Sequence, residues 1–309
     1  MSTWLVTGGA GFIGSHLCEA LCARGDTVRV LDDLSTGHRA NLPDGVTLVH
    51  GDVADPDAVL EAVQGVDGCF HLAAIASVER GITDWFGTHR TNLSGTIVLF
   101  EALRRAGLQV PVVYASSAAV YGDCPTVPIS EDAPRQPLSA YGADKLGCEL
   151  HARVATHVHG IPTVGLRFFN VYGPRQDPRS PYSGVISIFC ERISRGAPID
   201  VFGDGRQTRD FVYVGDIVAG LLAAMRLRPA EAAVFNLCTG RPTSVLELAG
   251  HIAALAGSAL DVTHRPPRAG EIRHSVGSPA RGRAALGLVD PAVLSDGLRN
   301  VLDWMAGGR

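Results

Sequence analysis

Short apolar runs alternate with longer segments of helical periodicity over the first half of the chain. The runs Trp4–Thr7, Val28–Asp32, Thr47–His50, Gly68–Leu72, Val110–Ala115 and Thr163–Phe168 predict strands. Between them, Phe12–Arg24, Asp57–Val63, Asn92–Ala106 and Ala140–His159 repeat apolar residues at helical spacing. Strands that are apolar throughout and separated by helices predict an α/β fold with a parallel sheet covered on both faces. Past about Tyr172 the texture changes. Pro174–Gly184 is rich in Pro, Arg, Ser and Gly and reads as a flexible, ligand-facing loop. A helix at Val185–Ser194, a strand at Ile199–Phe202 and a helix at Gly215–Leu227 follow. The expected division is therefore residues 1–171 as one domain and 172–309 mainly as a smaller α/β lobe, with some segments returning to the sheet.

Bulk composition narrows the class without choosing a function. The 309 residues are 46% hydrophobic and 19% charged, as in ordinary globular proteins. A formal charge of −4 gives no electrostatic reason to expect nucleic acid or an anionic membrane as partner. No apolar stretch reaches the length of a membrane span. The N-terminal stretch lacks a signal-like pattern, because Thr3–Val6 reads as a buried strand leading into a glycine loop. Seven scattered cysteines, with no paired CxxC motifs, read as reduced packing thiols of a cytoplasmic protein. Cys18 and Cys22 lie one helical turn apart, yet no histidine stands in register with them. Core packing is the better reading than a metal site, and no metal is expected.

The first motif with chemistry is Thr7-Gly8-Gly9-Ala10-Gly11-Phe12-Ile13-Gly14, between a predicted strand and a predicted helix. Glycines there permit a tight turn, close approach of a pyrophosphate, and close packing of helix on strand. The helix N-terminus supplies free N–H groups to phosphate. At the end of the next strand, Asp32 and Asp33 are placed to accept from adenosine ribose hydroxyls and to repel a 2′-phosphate, which favours NAD over NADP. Together these features predict a Rossmann-type doubly wound parallel sheet with a smaller C-terminal substrate-binding lobe. Asp52, after the third strand, reads either as an adenine contact or as the cap of the helix starting near Pro56.

The second motif is Tyr141-Gly142-Ala143-Asp144-Lys145. Residues four apart on a helix share a face, and a neighbouring ammonium stabilises phenolate. Tyr141 then becomes a workable base for an alcohol that loses hydride from its carbon. Ala115-Ser116-Ser117-Ala118-Ala119-Val120-Tyr121-Gly122 closes the fifth strand, where open parallel sheets place their ligands. Ser117 is read there as a hydroxyl that bonds the reacting oxygen and relays its proton.

These residues carry a resemblance to the extended short-chain dehydrogenase/reductases, and within them to nucleotide-sugar enzymes of the UDP-hexose 4-epimerase group. It runs over essentially the whole chain: Thr7–Gly14, Asp32–Ser35, Gly51-Asp52, His71–Ala74, Asn92, Ser116–Gly122, Pro137–Lys145, Arg167–Pro174 and Arg209–Val212. The resemblance implies NAD as cofactor and Ser117, Tyr141 and Lys145 as catalytic residues. It implies that NAD is held by Gly8, Gly11, Phe12, Ile13, Gly14, Asp32, Asp33, Ser35, Thr36, Gly37, Asp52, Val53, Leu72, Ala73, Ala74, Ala76, Asn92, Ala115 and Phe168, besides Tyr141 and Lys145. The UDP-sugar is expected at Ser77, Ser116, Ser117, Tyr141, Asn170, Val185, Val201, Arg209, Arg268 and Ser275. Of these, Asn170 is expected on a phosphate, Arg209 and Arg268 on the diphosphate, and Ile199–Phe202 along the uridine. A homodimer through the helices near Asn92–Ala106 and Ala140–His159 is implied as well.

The reaction follows partly from what is missing. Related dehydratases and decarboxylases carry acidic residues where this chain has Ala118 and Ala119, and alanine moves no proton. Oxidation at C4, rotation of the keto sugar and return of hydride to its other face remain. In the stretch Arg268–Ser275, which resembles the segment ending at the gate beside the sugar 2-substituent, the gate residue is the small Ser275. UDP-GlcNAc and UDP-GalNAc are therefore expected alongside UDP-Glc and UDP-Gal. The basic loop Arg175–Gly184 leaves a uronic acid open. A 4-keto-sugar reductase and a non-catalytic binding module are the competing readings.

Overall fold

The computed structural model describes residues 1–178, 184–268 and 272–307. The first half runs β1 (Thr3–Thr7), α1 (Phe12–Ala23), β2 (Thr27–Asp32), β3 (Thr47–His50), α2 (Pro56–Ala62), β4 (Gly68–His71), α3 (Val78–Thr83), α4 (Trp85–His89), α5 (Gly95–Arg105), β5 (Val112–Ser117), α6 (Ala140–His159) and β6 (Thr163–Phe168). The second half runs β7 (Asn170–Tyr172), α7 (Val185–Ser194), β8 (Ile199–Phe202), β9 (Thr208–Tyr213), α8 (Val214–Arg226), β10 (Ala233–Leu237), β11 (Pro242–Ser244), α9 (Val245–Ala256), β12 (Val262–Arg265), β13 (His274–Ser275), α10 (Ala280–Leu286) and α11 (Leu294–Ala306).

Seven parallel strands form the main sheet in the order β3-β2-β1-β4-β5-β6-β10. The order reverses between β1 and β4, which opens the crevice in which doubly wound sheets bind ligands. Strand alternation divides the apolar side chains between two layers. Leu5 joins Val59, Leu99 and Leu103 under α2, α5 and α6. Its neighbour Val6 joins Leu17, Leu21, Ile217 and Leu221 under α1 and α8. A third cluster, with Ile186, Phe189, Val201, Leu248 and Leu298, is the core of the lobe. The lobe contributes two small sheets, one of β7, β9, β11 and β13 and one of β8 and β12, while β10 crosses back to the edge of the main sheet.

Three boundaries differ from the expectation in instructive ways. β5 begins at Val112 and ends at Ser117, so the two serines lie within the sheet. α2 starts at Pro56 under an Asp55 cap, whose carboxylate accepts from the Asp57 amide at 2.9 Å. Residues 90–94 form a π-turn ahead of α5. There the Asn92 carbonyl accepts from the Thr96 hydroxyl (2.7 Å) and the Cys148 thiol (3.3 Å), side-chain bonds that accompany the widened turn.

None of the seven cysteines is in a disulfide, and burial pushes the Cys18 thiol up to about 12, as for an inert packing residue. Among the described residues no helix is long and apolar enough to cross a membrane. Nor do three or more His, Cys, Asp or Glu come together there as a metal-holding group.

Candidate active site

A cleft of about 640 Å³ opens at the C-terminal ends of β1, β2, β4 and β5. Its floor begins with the loop after β1. Gly8 takes φ +70°, and a Cβ there would sit 2.7 Å from the Ala73 amide nitrogen. A Cβ on Gly14 would come within 2.1 Å of the Gly8 carbonyl oxygen, so only glycine lets α1 approach the loop this closely. Gly11 is the N-cap of α1 and brings no side-chain acceptor. The opening amides of the helix, at Phe12, Ile13 and Gly14, therefore remain for an anion, and all three residues line the cleft. Asp32 holds this loop in place: its carboxylate accepts from the Ala10 and Leu34 amides, each at 2.9 Å. Burial raises its pKa, and those two amides pull it part of the way back. Asp33 accepts from the Ser35 amide (2.9 Å) and hydroxyl (2.7 Å) at the cleft rim. Thr36, Gly37, Asp52 and Val53 continue that wall, and Leu72, Ala73, Ala74, Ala76, Ala115 and Phe168 carry the lining toward β5 and β6.

At the other end stand Ser117, Tyr141, Lys145 and Asn170. Ser139 caps α6, accepting from the Gly142 amide at 3.0 Å, and so sets the first turn that carries Tyr141. One turn on, the Lys145 ammonium is 5.8 Å from the Tyr141 ring centroid and donates to the Ala115 carbonyl at 2.9 Å. Lys145 is buried, so its charge acts at short range with little water to screen it. The Ser117 oxygen accepts from the Ala119 amide at 3.1 Å, which leaves its O–H free to donate. His71 bridges the Thr7 and Thr96 hydroxyls at 2.8 and 2.9 Å. Burial first, and then the charge of Lys145, lower its pKa to about 3. A neutral imidazole adds no second cation beside Lys145. Phenol, ammonium and hydroxyl facing a phosphate cradle form the equipment of an alcohol oxidation that hands hydride to a dinucleotide.

Residues 4–238 match the NAD dependent epimerase/dehydratase family. The chain belongs to that family. It is 38% identical over 307 residues to a UDP-glucose 4-epimerase of Mycolicibacterium smegmatis, with 97% of each chain covered. It superposes on the UDP-glucose 4-epimerase of Thermotoga maritima, solved with UDP-glucose, with a TM-score of 0.94, 34% identity and 99% of both chains covered. The UDP-N-acetylglucosamine 4-epimerase of Methanobrevibacter ruminantium, solved with UDP-N-acetylmuramic acid, gives a TM-score of 0.94 at 32% identity, covering 100% of this chain and 99% of that one. NAD is the cofactor of this epimerase/dehydratase, and the residues present fit it. The uncapped α1 amides suit a diphosphate, and the two carboxylates after β2 suit an unphosphorylated ribose.

The epimerase/dehydratase cleft does not gather every residue expected in it. Asn92 is fully buried, and its amide bonds the Ile75 backbone both ways (2.7 and 3.2 Å), so it braces the 75–77 segment instead of facing the cleft. The Ser77 hydroxyl caps α3, accepting from the Arg80 amide at 3.0 Å. Ser116 touches the cleft, but its hydroxyl turns away and donates to Glu149 at 2.6 Å. Val201 is packed in the lobe core, leaving only its backbone to a ligand. Val185 opens α7 just after the cleft residue Gly184. Arg209 and Ser275 are register partners on β9 and β13, and the Arg268 guanidinium stacks 4.0 Å above the Phe202 ring, all beyond the cleft lining. The cap reading of Asp52 is overturned, since Asp55 caps α2. Asp52 instead pairs with Arg90 at 2.5 Å, both on the cleft wall. Arg90, Thr91 and Asp84 also line the cleft without having been expected there; only their nearness in sequence to Asn92 pointed to them. Part of the 175–184 loop (179–183) and of the 268–275 stretch (269–271) lies outside the described residues.

Proposed function

We propose that this chain is a UDP-hexose 4-epimerase that inverts C4 through a transient 4-ketone, on UDP-Glc/UDP-Gal and on UDP-GlcNAc/UDP-GalNAc. The observation that carries this reading is the meeting of Tyr141, Lys145 and Ser117 in one cleft with the α1 phosphate cradle. Tyr141 takes the C4 hydroxyl proton, Lys145 stabilises the phenolate, and Ser117 donates to the C4 oxygen. Bound NAD supplies the acceptance and return of hydride. The Gly8–Gly14 loop, Asp32 and Asp33 hold the cofactor through both half-reactions. Ala118 and Ala119 form a short 3-10 turn with Val120 and Tyr121 and offer no proton, which leaves C5 untouched. Asn170, Arg209 and Arg268 are assigned to the UDP moiety, where guanidinium forks suit phosphate oxygens.

Two features bear on the sugar. The small Ser275 leaves room beside C2 for an N-acetyl group. In the 175–184 loop, read as basic enough to meet a uronate, Arg175 is paired with Glu19 and bonded to Ser15. With that guanidinium engaged elsewhere, neutral sugars are assigned first, and UDP-glucuronate stays the alternative. A cytoplasmic homodimer is proposed through α5 and α6. Supporting this, Leu150, Val154 and Val158 form an exposed apolar stripe at i, i+4 and i+8 on α6, and Ile97 is exposed on α5.

The test is incubation with a panel of UDP-sugars, products being read by NMR. Interconversion of Glc with Gal and of GlcNAc with GalNAc is expected, and turnover of UDP-glucuronate alone would favour the uronate alternative. Loss of water or of carbon dioxide from the sugar contradicts the proposal.

A further inference from the structure

We infer that Glu149 is a positioning residue of this reaction, acting through Ser116 and Arg167 to hold the Ser117 strand end against the helix that carries Tyr141. The inference rests on the reading just proposed and adds to it Glu149 and Arg167, which lie outside the cleft lining.

Tyr141, Lys145 and Glu149 fall at i, i+4 and i+8 of α6 and share one face. Two successive turns of that face grip two successive residues of β5. Lys145 donates to the Ala115 carbonyl at 2.9 Å, and Glu149 accepts from the Ser116 hydroxyl at 2.6 Å. Arg167, the register partner of Ser116 on β6, closes the triangle with a two-pronged contact to Glu149, Nε to Oε1 at 2.8 Å and Nη2 to Oε2 at 2.7 Å. Its remaining nitrogen, Nη1, donates to the Tyr121 hydroxyl (2.7 Å) and the Glu131 carbonyl (3.0 Å). Arg167 is 1% exposed, Ser116 2% and Glu149 6%, so water competes for none of these bonds. Burial by itself would draw the Arg167 guanidinium pKa down, and its contacts with Glu149 and Tyr121 more than offset that, so the guanidinium stays charged.

A buried ion pair is a poor device for stability alone, because desolvation offsets most of its attraction and apolar packing does as well. What it supplies is direction, since a forked pair with a third hydroxyl tolerates one arrangement of the three backbones. Those backbones carry Ser117, Tyr141 and the cleft residue Phe168, each within eight residues of the network. The same network reaches β10 at the edge of the main sheet. The Tyr121 hydroxyl donates to Asn236 at 2.6 Å, and Asn236 donates to the Ile129 carbonyl at 2.9 Å. Tyr121 can thus be removed as a structural control, because Arg167 keeps Glu149 and the Glu131 carbonyl when it is gone.

The experiment compares Ser116→Ala, Glu149→Gln, their double variant and Tyr121→Phe, measuring kcat and KM for UDP-glucose, NAD content and melting temperature. Ser116→Ala keeps the ion pair and should fold; its kcat should fall about tenfold with KM and NAD content unchanged. Glu149→Gln should fall further, by up to about a hundredfold, and the double variant should be no worse than Glu149→Gln, since both act by one route. Tyr121→Phe should lower the melting temperature while kcat stays within about twofold. If Glu149→Gln does not fold, Ser116→Ala decides. Wild-type kcat in Ser116→Ala overturns the inference, and so does a rise in KM alone, which would make the hydroxyl a substrate contact. A kcat loss in Tyr121→Phe equal to that in Ser116→Ala overturns it too, by reducing the effect to stability. None of these outcomes touches the assignment of the base, which fails only if Tyr141→Phe keeps its turnover.

Discussion

The parallel-sheet half and the C-terminal lobe present ligand-facing groups in different ways. In the first, the groups that matter are backbone amides, glycines and side chains at strand ends, and their positions follow from the turn that a strand must make into a helix. Gly8 and Gly14 stand at such a junction, and Asp32 and Ser117 are the last residues of β2 and β5. In the lobe, the expected groups are side chains on short strands of small sheets. Whether Arg209, Arg268 or Ser275 faces a sugar depends on packing between elements far apart in sequence, as the pairing of β13 with β9 illustrates. On the proposed reading the first half sets rate and the second sets affinity, and the two should respond differently to substitution.

The largest effect is expected at the base. Tyr141→Phe should lower kcat by roughly 10²- to 10⁴-fold while bound NAD is retained; spectrophotometry of the cofactor together with turnover assays checks both halves. In the lobe, Arg268→Ala should raise KM for the UDP-sugar by about 10- to 100-fold, from loss of a charge-assisted bond, and leave kcat nearly unchanged. A kcat loss there as large as that of Tyr141→Phe would erase the division between the two regions. Gly14→Ala puts a Cβ within 2.1 Å of the Gly8 carbonyl oxygen. It should destabilise the fold by about 1–3 kcal/mol and lower NAD affinity, as thermal melting and cofactor titration would register.

The smallest effect sharpens the first half. His71 titrates near 3 in the folded protein against 6.5 unfolded. Below pH 6.5 the unfolded chain takes up a proton that the native state refuses, so stability falls as pH drops toward 3, and above 6.5 the residue contributes no slope. One such group contributes at most about 1.4 kcal/mol per pH unit. His71→Gln should flatten the denaturation profile between pH 6.5 and 4 relative to the parent. Parallel profiles would mean the ring is not held neutral.

The same contrast governs how much was legible before the structure. Near-continuous apolar runs and the glycine loop are local signals, so the sheet, α1 and the Tyr141–Lys145 helix could be read directly. Asn92, Ser77 and Ser116 are polar residues close to the cleft whose side chains are claimed by neighbours: the Ile75 backbone, the Arg80 amide and Glu149. A sequence shows that such a residue is near a site, not which partner it satisfies. Val201 illustrates the reverse, since strand alternation buries it and leaves Phe202 to meet Arg268. Glu149 and Arg167 lie 18 residues apart in sequence, and the signal that could have shown Glu149 pointing inward is its i+4 spacing from Lys145.

The central claim is that the same hydride leaves and returns to C4 with no other proton moved on carbon. Turnover of UDP-glucose in deuterium oxide, followed by NMR of the product sugar, tests it. The account predicts UDP-galactose with hydrogen at every ring carbon. Deuterium at C5, or at C4, would contradict it.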